Sequence, residues 1–259
     1  MKGYAPAFIM RGATMNYTQR DLGTLRKGEI IGGLLYWPMY LIGSQFLAVL
    51  IAKALGADLN SDTVLGLVSF IFGLVNLLFL VPIFFRYLRD QFRRLQNRGW
   101  SLFGDLGLGF VVYYGLSLAG TRVISILLGL LGVEYSNLNQ EAVEAAVEAA
   151  PWMTIVLATV LAPITEELLC RGLIFCGLYR RSRIWAYALS MLVFSLLHVY
   201  GSMLEQPLGV SLVNLVVYLP AGFALAWSYE RSGSIFSAMI LHTVINSFAL
   251  LLQALVTQL

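Results

Sequence analysis

Charged side chains are scarce in this chain: Asp, Glu, Lys and Arg together make up 12% of its 259 residues, about half the share found in a soluble domain. That shortage excludes an ordinary water-soluble fold. Cysteine is scarcer still. Cys170 and Cys176 both lie inside one apolar stretch, so a disulfide framework is excluded and the two thiols read as small packing residues. The net charge is only +3, with basic residues in short clusters between apolar runs, which argues against a nucleic-acid partner. The sequence also lacks an internal repeat, a low-complexity tract and a linker that would split off a second domain. The first 28 residues are polar and mixed, without a basic start, apolar centre and small-residue cleavage site. They are expected to form a cytosolic arm rather than a removable leader.

What the chain has in excess is apolar length. Hydrophobic residues account for 59% of it, and seven runs can be drawn, at about 30–53, 63–85, 106–133, 151–179, 184–200, 208–229 and 234–256. Each is near the roughly 20 residues a helix needs to cross about 30 Å of hydrocarbon. None shows the alternation of a barrel strand, so the expected fold is all-α, a polytopic transmembrane helical bundle. The third and fourth runs exceed one crossing, and Gly120 or Pro163 could divide either, giving seven or eight spans. The organisation expected is an arm over 1–28, a transmembrane region without recognisable motif over 29–150, and a motif-bearing transmembrane core over 151–259.

Charge placement orients the bundle. Basic residues precede the first run (Lys2, Arg11, Arg20, Arg26, Lys27) and follow the second (Arg86, Arg89, Arg93, Arg94, Arg98), the fourth (Arg180, Arg181, Arg183) and the sixth (Arg231). All fall on one side if seven spans alternate. The opposite connections carry Asp58, Asp62, Glu134, Glu141, Glu144, Glu148 and Glu205, with only Lys53 nearby. The positive-inside rule then expects a multi-pass protein of the cell membrane, N-terminus cytosolic and C-terminus outside. The segment LNQEAVEAAVEAA (138–150) spaces Leu and Val against Glu with helical period. It reads as an amphipathic helix outside, or equally as a solvated connector.

Against this background the stretch APITEELLCRG (162–172) stands out. Left facing lipid, Glu166, Glu167 and Arg171 would cost about 2.5–3.5 kcal/mol each, on the order of 9 kcal/mol together, so they must face inward with partners. Glu167 and Arg171 are one turn apart with the acid first, the favourable order for an ion pair. Glu166 points about 100° away and needs a partner from another helix. The chain has only two histidines, His198 in FSLLH and His242 in HTVIN, both inside apolar runs, with Asn246 one turn beyond the second. At about 1.5 Å rise per residue, Glu166, His198 and Asn246 fall at similar depth, about 20 Å from the cytosolic ends of their spans, and His242 at about 13 Å.

A carboxylate beside an imidazole can hold a water and take its proton. A second histidine and an asparagine amide can donate to the oxygen that turns negative when that water attacks a carbonyl. That combination suits peptide hydrolysis in the membrane. The same Glu166, His198 and His242 could instead form the His₂Glu set of a catalytic zinc site, although no HExxH pair is present. The reading without a cofactor is preferred, with zinc as the alternative.

These residues carry a family resemblance. APITEELLCRGLIFCGLYRR resembles the EExxxR motif of the CAAX protease and bacteriocin-processing (CPBP, or Abi) family of intramembrane proteases, of Rce1-like type. FSLLH is similar to its FxxxH motif, and SGSIFSAMILHTVIN to its small-residue turn followed by HxxxN. All three occur in order over about 151–250. The resemblance implies Glu166 as general base with His198 as partner, His242 and Asn246 as oxyanion donors, and Glu167 and Arg171 as residues that shape the site or touch substrate. It implies a peptide or lipidated-peptide substrate at the lipid bilayer. Cys170 departs from the family, which often carries Phe there, and this changes the packing beside Arg171.

Two other classes compete. Intramembrane Glu, Arg and His also mark transporter pathways, but paired broken helices or inverted repeats are missing. A non-catalytic peptide binder or bacteriocin-immunity protein would use the same pocket without needing Glu166 as a base. Arg122, inside the third run, is either a partner for a buried carboxylate or a side chain reaching the interface. Asn214 and Tyr218, one turn apart, suit interhelical hydrogen bonds or a cavity wall.

Overall fold

A computed structural model describes residues 21–61, 63–132, 135–203 and 205–256. Most of the arm expected over 1–28 therefore lies outside the described residues. The described chain is helical throughout, without a strand. Six helices are long and apolar enough to cross a membrane, and a seventh apolar helix is shorter. The protein is a polytopic helical bundle of about seven spans. Large apolar side chains such as Leu35, Ile42, Leu130 and Ile184 remain exposed on its outer surface, as a lipid-facing belt requires.

Helix α1 is Lys27–Ala54 and α2 is Val64–Ile83. Pro38 sits within α1; it cannot donate a ladder hydrogen bond, and the next turn, Met39–Gly43, widens to the i→i+5 pattern. This turn brings Tyr40 into the interior. The two helices are clasped by buried Asn76, whose Oδ1 accepts from Tyr36 Oη at 2.8 Å and Ser44 Oγ at 2.9 Å. Its own amide donates to the Phe72 carbonyl at 2.9 Å.

The arginine-rich stretch after α2, which the sequence presents as a loop, is a helix, α3 (Phe85–Gln96). Its arginines point outward while Tyr87 and Gln91, one turn apart, are buried. Buried Glu29 ties its start to α1, accepting from the Arg26 backbone N–H at 2.7 Å and from that of Tyr87 at 2.8 Å. Gln91 donates to the Leu22 carbonyl at 2.7 Å and accepts from the Ile235 N–H at 2.9 Å. Helix α3 thus stitches the basic end of the bundle together.

Helix α4 (Ser101–Leu131) runs unbroken through Gly120 and stops at Gly132, whose φ of 62° forms a left-handed cap. Arg122 is exposed on it, away from the buried carboxylates. Near its basic end, buried Asp105 accepts from Arg231 Nε at 2.7 Å and also pairs with Arg98. The amphipathic helix follows as α5 (Leu138–Ala149), with Asn137 Oδ1 accepting from the Gln140 N–H at 3.2 Å as its cap.

The motif-bearing half consists of α6 (Pro151–Tyr179), α7 (Arg183–Val199), α8 (Leu208–Ser232) and α9 (Ile235–Val256). Pro163 does not divide α6. Gly222 lets α8 approach α7 closely, since a Cβ there would meet the Met191 Cα at 3.1 Å. At the basic end Glu230 accepts from Tyr179 Oη at 2.5 Å, from Arg183 Nε at 2.6 Å and from Tyr187, joining α6, α7 and α8.

Candidate active site

Helix α6 carries the two adjacent glutamates, and it is not regular. Two of its segments, Leu157–Leu161 and Leu168–Cys176, are wound in wide i→i+5 turns on either side of Ala162–Glu167. Such turns are often found at functional sites. Here they leave backbone carbonyls for other helices. The Ala158 carbonyl accepts from Asn246 Nδ2 at 2.8 Å and the Thr159 carbonyl from Thr243 Oγ1 at 2.6 Å, both from α9. The Cys170 carbonyl accepts from Ser190 Oγ of α7 at 3.0 Å.

Glu167 and Arg171 form the ion pair that their spacing suggests. Arg171 Nη1 lies 3.0 Å from Glu167 Oε1, and neither side chain is exposed at all. Arg171 is held in place: Nη2 donates to the Gly222 carbonyl of α8 at 2.8 Å, and the guanidinium lies 4.5 Å from the centre of the Phe194 ring, while its Nε and Glu167 Oε2 have no hydrogen-bond partner among the described residues. Glu167 Oε1 has a second partner, His242 Nδ1 at 3.0 Å. A carboxylate oxygen already holding an arginine can only accept, so His242 Nδ1 is the donor. The pair is therefore a triad that fixes the His242 ring.

His198 is fixed differently. Its Nδ1 lies 2.9 Å from the Phe194 carbonyl, so this nitrogen also donates and leaves Nε2 facing the interior. The ring is held between Phe194 on its own helix and Tyr218 on α8, with centroids 4.5 Å away on each side. The Tyr218 hydroxyl is in turn gripped at the start of α5, accepting from Asn139 Nδ2 at 2.9 Å and donating to Asn137 Oδ1 at 3.3 Å. Asn214, one turn earlier, accepts from Tyr135 Oη at 2.7 Å. Both polar residues of α8 thus anchor the segment leading into α5. Tyr218 also orients a histidine, which the sequence signalled only as two polar residues on one helical face.

Between the two rings lies Glu166. Its Oε2 is 3.9 Å from His198 Nε2 and 3.9 Å from His242 Nε2. That oxygen is buried and has no hydrogen-bond partner among the described residues. Three helices thus aim a carboxylate and two imidazole nitrogens at one small volume. Asn246 lines a cavity that reaches Glu166 and His198, while His242 lies behind its wall; the Asn246 amide spends one N–H on Ala158 and keeps the other. The cavity holds about 510 Å³ and is walled also by residues of the motif-free half, among them Tyr40, Gln45, Ser69 and Phe72. Polarity inside the first two spans was the available sign of Tyr40, Gln45 and Ser69, and Phe72 had none.

The Nε2 atoms of His198 and His242 and the Glu166 carboxylate are chemically a His₂Glu donor set, and they stand farther apart than zinc ligands do. Tetrahedral coordination with bonds of about 2.0–2.2 Å separates adjacent ligand atoms by about 3.3–3.5 Å, whereas both nitrogen-to-oxygen separations here are 3.9 Å. No group of three His, Cys, Asp or Glu side chains placed to hold a metal occurs among the described residues.

Fold and site together define a multi-pass membrane protein with a polar centre inside its helical bundle, and the comparisons show what the segment carrying that centre is similar to. Residues 148–248 match the family model described as "Type II CAAX prenyl endopeptidase Rce1-like". The matched range contains all three motifs and each of Glu166, Glu167, Arg171, His198, His242 and Asn246. The chain is also similar to "Putative membrane peptidase YdiL" of Bacillus subtilis (strain 168), with 26% identity over 156 residues. That alignment spans 60% of this chain and just over half, 57%, of the relative. No solved structure matches.

Proposed function

We propose that the protein is an intramembrane endopeptidase that hydrolyses a peptide bond in a membrane-associated or lipidated peptide, with water activated by Glu166. The observation that carries this reading is the unpartnered Glu166 oxygen equidistant from two imidazole nitrogens. A separation of 3.9 Å on each side is too long for a direct bond and suits one bridging water at about 2.8 Å from each group. The Rce1-like family match and the peptidase name of the relative point the same way.

In this mechanism Glu166 accepts the proton of the attacking water and later returns it to the departing amine. His198 shares that water through Nε2, its ring held by Phe194 and Tyr218. With Nδ1–H fixed on Glu167, His242 can serve the carbonyl oxygen as it becomes negative only as the imidazolium, whose Nε2–H then donates, and the free N–H of Asn246 adds a second donor. Glu167 and Arg171 hold the donor histidine and need not touch the substrate. No step is routed through a metal. Residues 151–259 form the catalytic core, and 29–150 supply cavity walls from α1, α2 and α5. The membrane is the cell membrane, crossed with the N-terminus cytosolic and the C-terminus outside.

The test is hydrolysis of a quenched-fluorescent peptide library by the purified protein in proteoliposomes, wild type against Glu166→Gln. Loss of roughly a hundredfold or more in rate is expected, in line with removal of a general base. A variant that hydrolyses at the wild-type rate would remove the proposal. A wild type that binds peptides without cleaving them, and a variant that binds equally well, would replace it with the binder reading.

A further inference from the structure

Among the described residues, the walls of the cavity that reaches Glu166 extend to the connections at one end of the bundle. On one side of the site its walls run through Asn139, Ala142 and Val143 of α5 to a rim at Gly201, Ser202 and Glu205, in the connection between α7 and α8. At the other end a separate cavity of about 380 Å³, lined by Asp21, Tyr87, Gln91 and Arg94 among others, shares no wall residue with it. Beyond Glu167, α6 presents Leu168, Leu169, Cys170 and Phe175, none of them exposed. The Tyr87 and Tyr229 hydroxyls close the packing below them with a 2.6 Å hydrogen bond. This opposite end carries α3 and the arginines following α6.

The charges at the end the cavity reaches are mainly of one sign. Among the described residues its connections hold Asp58, Glu141, Glu144, Glu148 and Glu205, with Lys53 at the end of α1 and Arg122 in the second half of α4 as the cations toward this end. No lysine or arginine lines the cavity, and Arg171 is already engaged by Glu167 and the Gly222 carbonyl. A substrate held by its terminal carboxylate would find no cation to pair with.

We infer that the site takes an internal, positively flanked peptide segment that arrives from the acidic end of the bundle, the outer face of the membrane by the positive-inside rule. The segment passes between α5 and the rim at Gly201, Ser202 and Glu205 to reach Glu166. This inference rests on the hydrolytic reading of Glu166 and adds to it the route and charge of the substrate.

The test uses the full chain with Ser202→Cys at the rim, or Ala142→Cys on the opposite wall should the first variant fail to fold. Cys170 and Cys176 are buried, which keeps the maleimide background low. A membrane-impermeant maleimide is expected to label the new cysteine in right-side-out but not inside-out vesicles, and to block hydrolysis relative to the same variant unlabelled. In a Glu166→Gln background, an amidated peptide flanked by lysines is expected to protect the cysteine from label without being cut. The same peptide with aspartate flanks and a free carboxylate is expected to protect about tenfold less well, as opposite rim charge implies. Labelling from the inner face alone, or equal protection by the two peptides, overturns the inference. Access as expected with no hydrolysis by wild type would instead overturn the catalytic reading and leave the route standing.

Discussion

Glu166 and Glu167 are neighbours in sequence, yet their replacement by glutamine should have opposite consequences. Glu167 is unexposed and holds both Arg171 and His242 at 3.0 Å. Removing its charge leaves a guanidinium buried with only the Gly222 carbonyl and the Phe194 ring. Breaking one partner of a buried ion pair costs about 3–5 kcal/mol, which for a chain of this size corresponds to a fall in midpoint of about 10 °C. Glu166 Oε2, by contrast, has no hydrogen bond to lose, and an amide is less costly to bury than a carboxylate. Glu166→Gln should therefore unfold within about 1 kcal/mol of wild type while losing activity. The assay is thermal unfolding of detergent-solubilised protein, read by loss of the monodisperse species, with hydrolysis measured on the same samples. A third variant closes the argument: Glu167→Gln with Arg171→Met removes both charges and should recover most of the lost stability. It should remain at least about tenfold slow, because His242 Nδ1 no longer has its carboxylate. The reasoning fails if Glu167→Gln is as stable as wild type, or if Glu166→Gln is destabilised as severely.

Tyr218→Phe keeps the ring against His198 and should retain most of the turnover number, whereas Tyr218→Leu should lower it about tenfold or more by freeing the imidazole; equal rates for the two variants would show that the stack does not position the ring. Extensive chelation should leave hydrolysis unchanged, and recovery of a lost activity by zinc alone would make Glu166, His198 and His242 metal ligands after all. Asn76→Leu should weaken the α1–α2 clasp by about 0.6–1.7 kcal/mol, the range of hydrogen bonds between membrane helices, with unchanged turnover when corrected for folded protein. At the basic end of the bundle, the hydrogen bond from Arg94 holds the Asp21 carboxyl below the usual aspartate range. Because the folded value is the lower one, the tether is intact above the ordinary aspartate titration and weakens as pH falls through its own. Protease sensitivity beside Asp21 should therefore be flat around neutrality and rise only in acid, and a change near neutral pH would contradict the assignment.

Much of this architecture was written in the apolar runs, because a helix in lipid must satisfy its backbone within itself and so must be long and apolar. The runs near 63–85, 208–229 and 234–256 became helices within a few residues of those limits. Helix α3 was hidden because its outward arginines dominate the composition, and what makes it a helix here lies far away in sequence: Glu29, Leu22 and Ile235. The candidate site was legible as a cluster of inward-facing groups for a related reason. A charge or imidazole in an apolar run is costly, so each one signals an inward face and a partner. That logic named Glu166, Glu167, Arg171, His198, His242 and Asn246, but it did not say which atoms meet. The wide turns of α6 depend on Thr243 and Asn246 being present to take the displaced carbonyls. The bond from His242 to Glu167, and the ring of Tyr218 on His198, depend on how α8 and α9 rotate against α6 and α7. Tyr218 shows the limit best: its pairing with Asn214 on one helical face was visible in the sequence, while its link from α5 to a histidine exists only once three helices are packed.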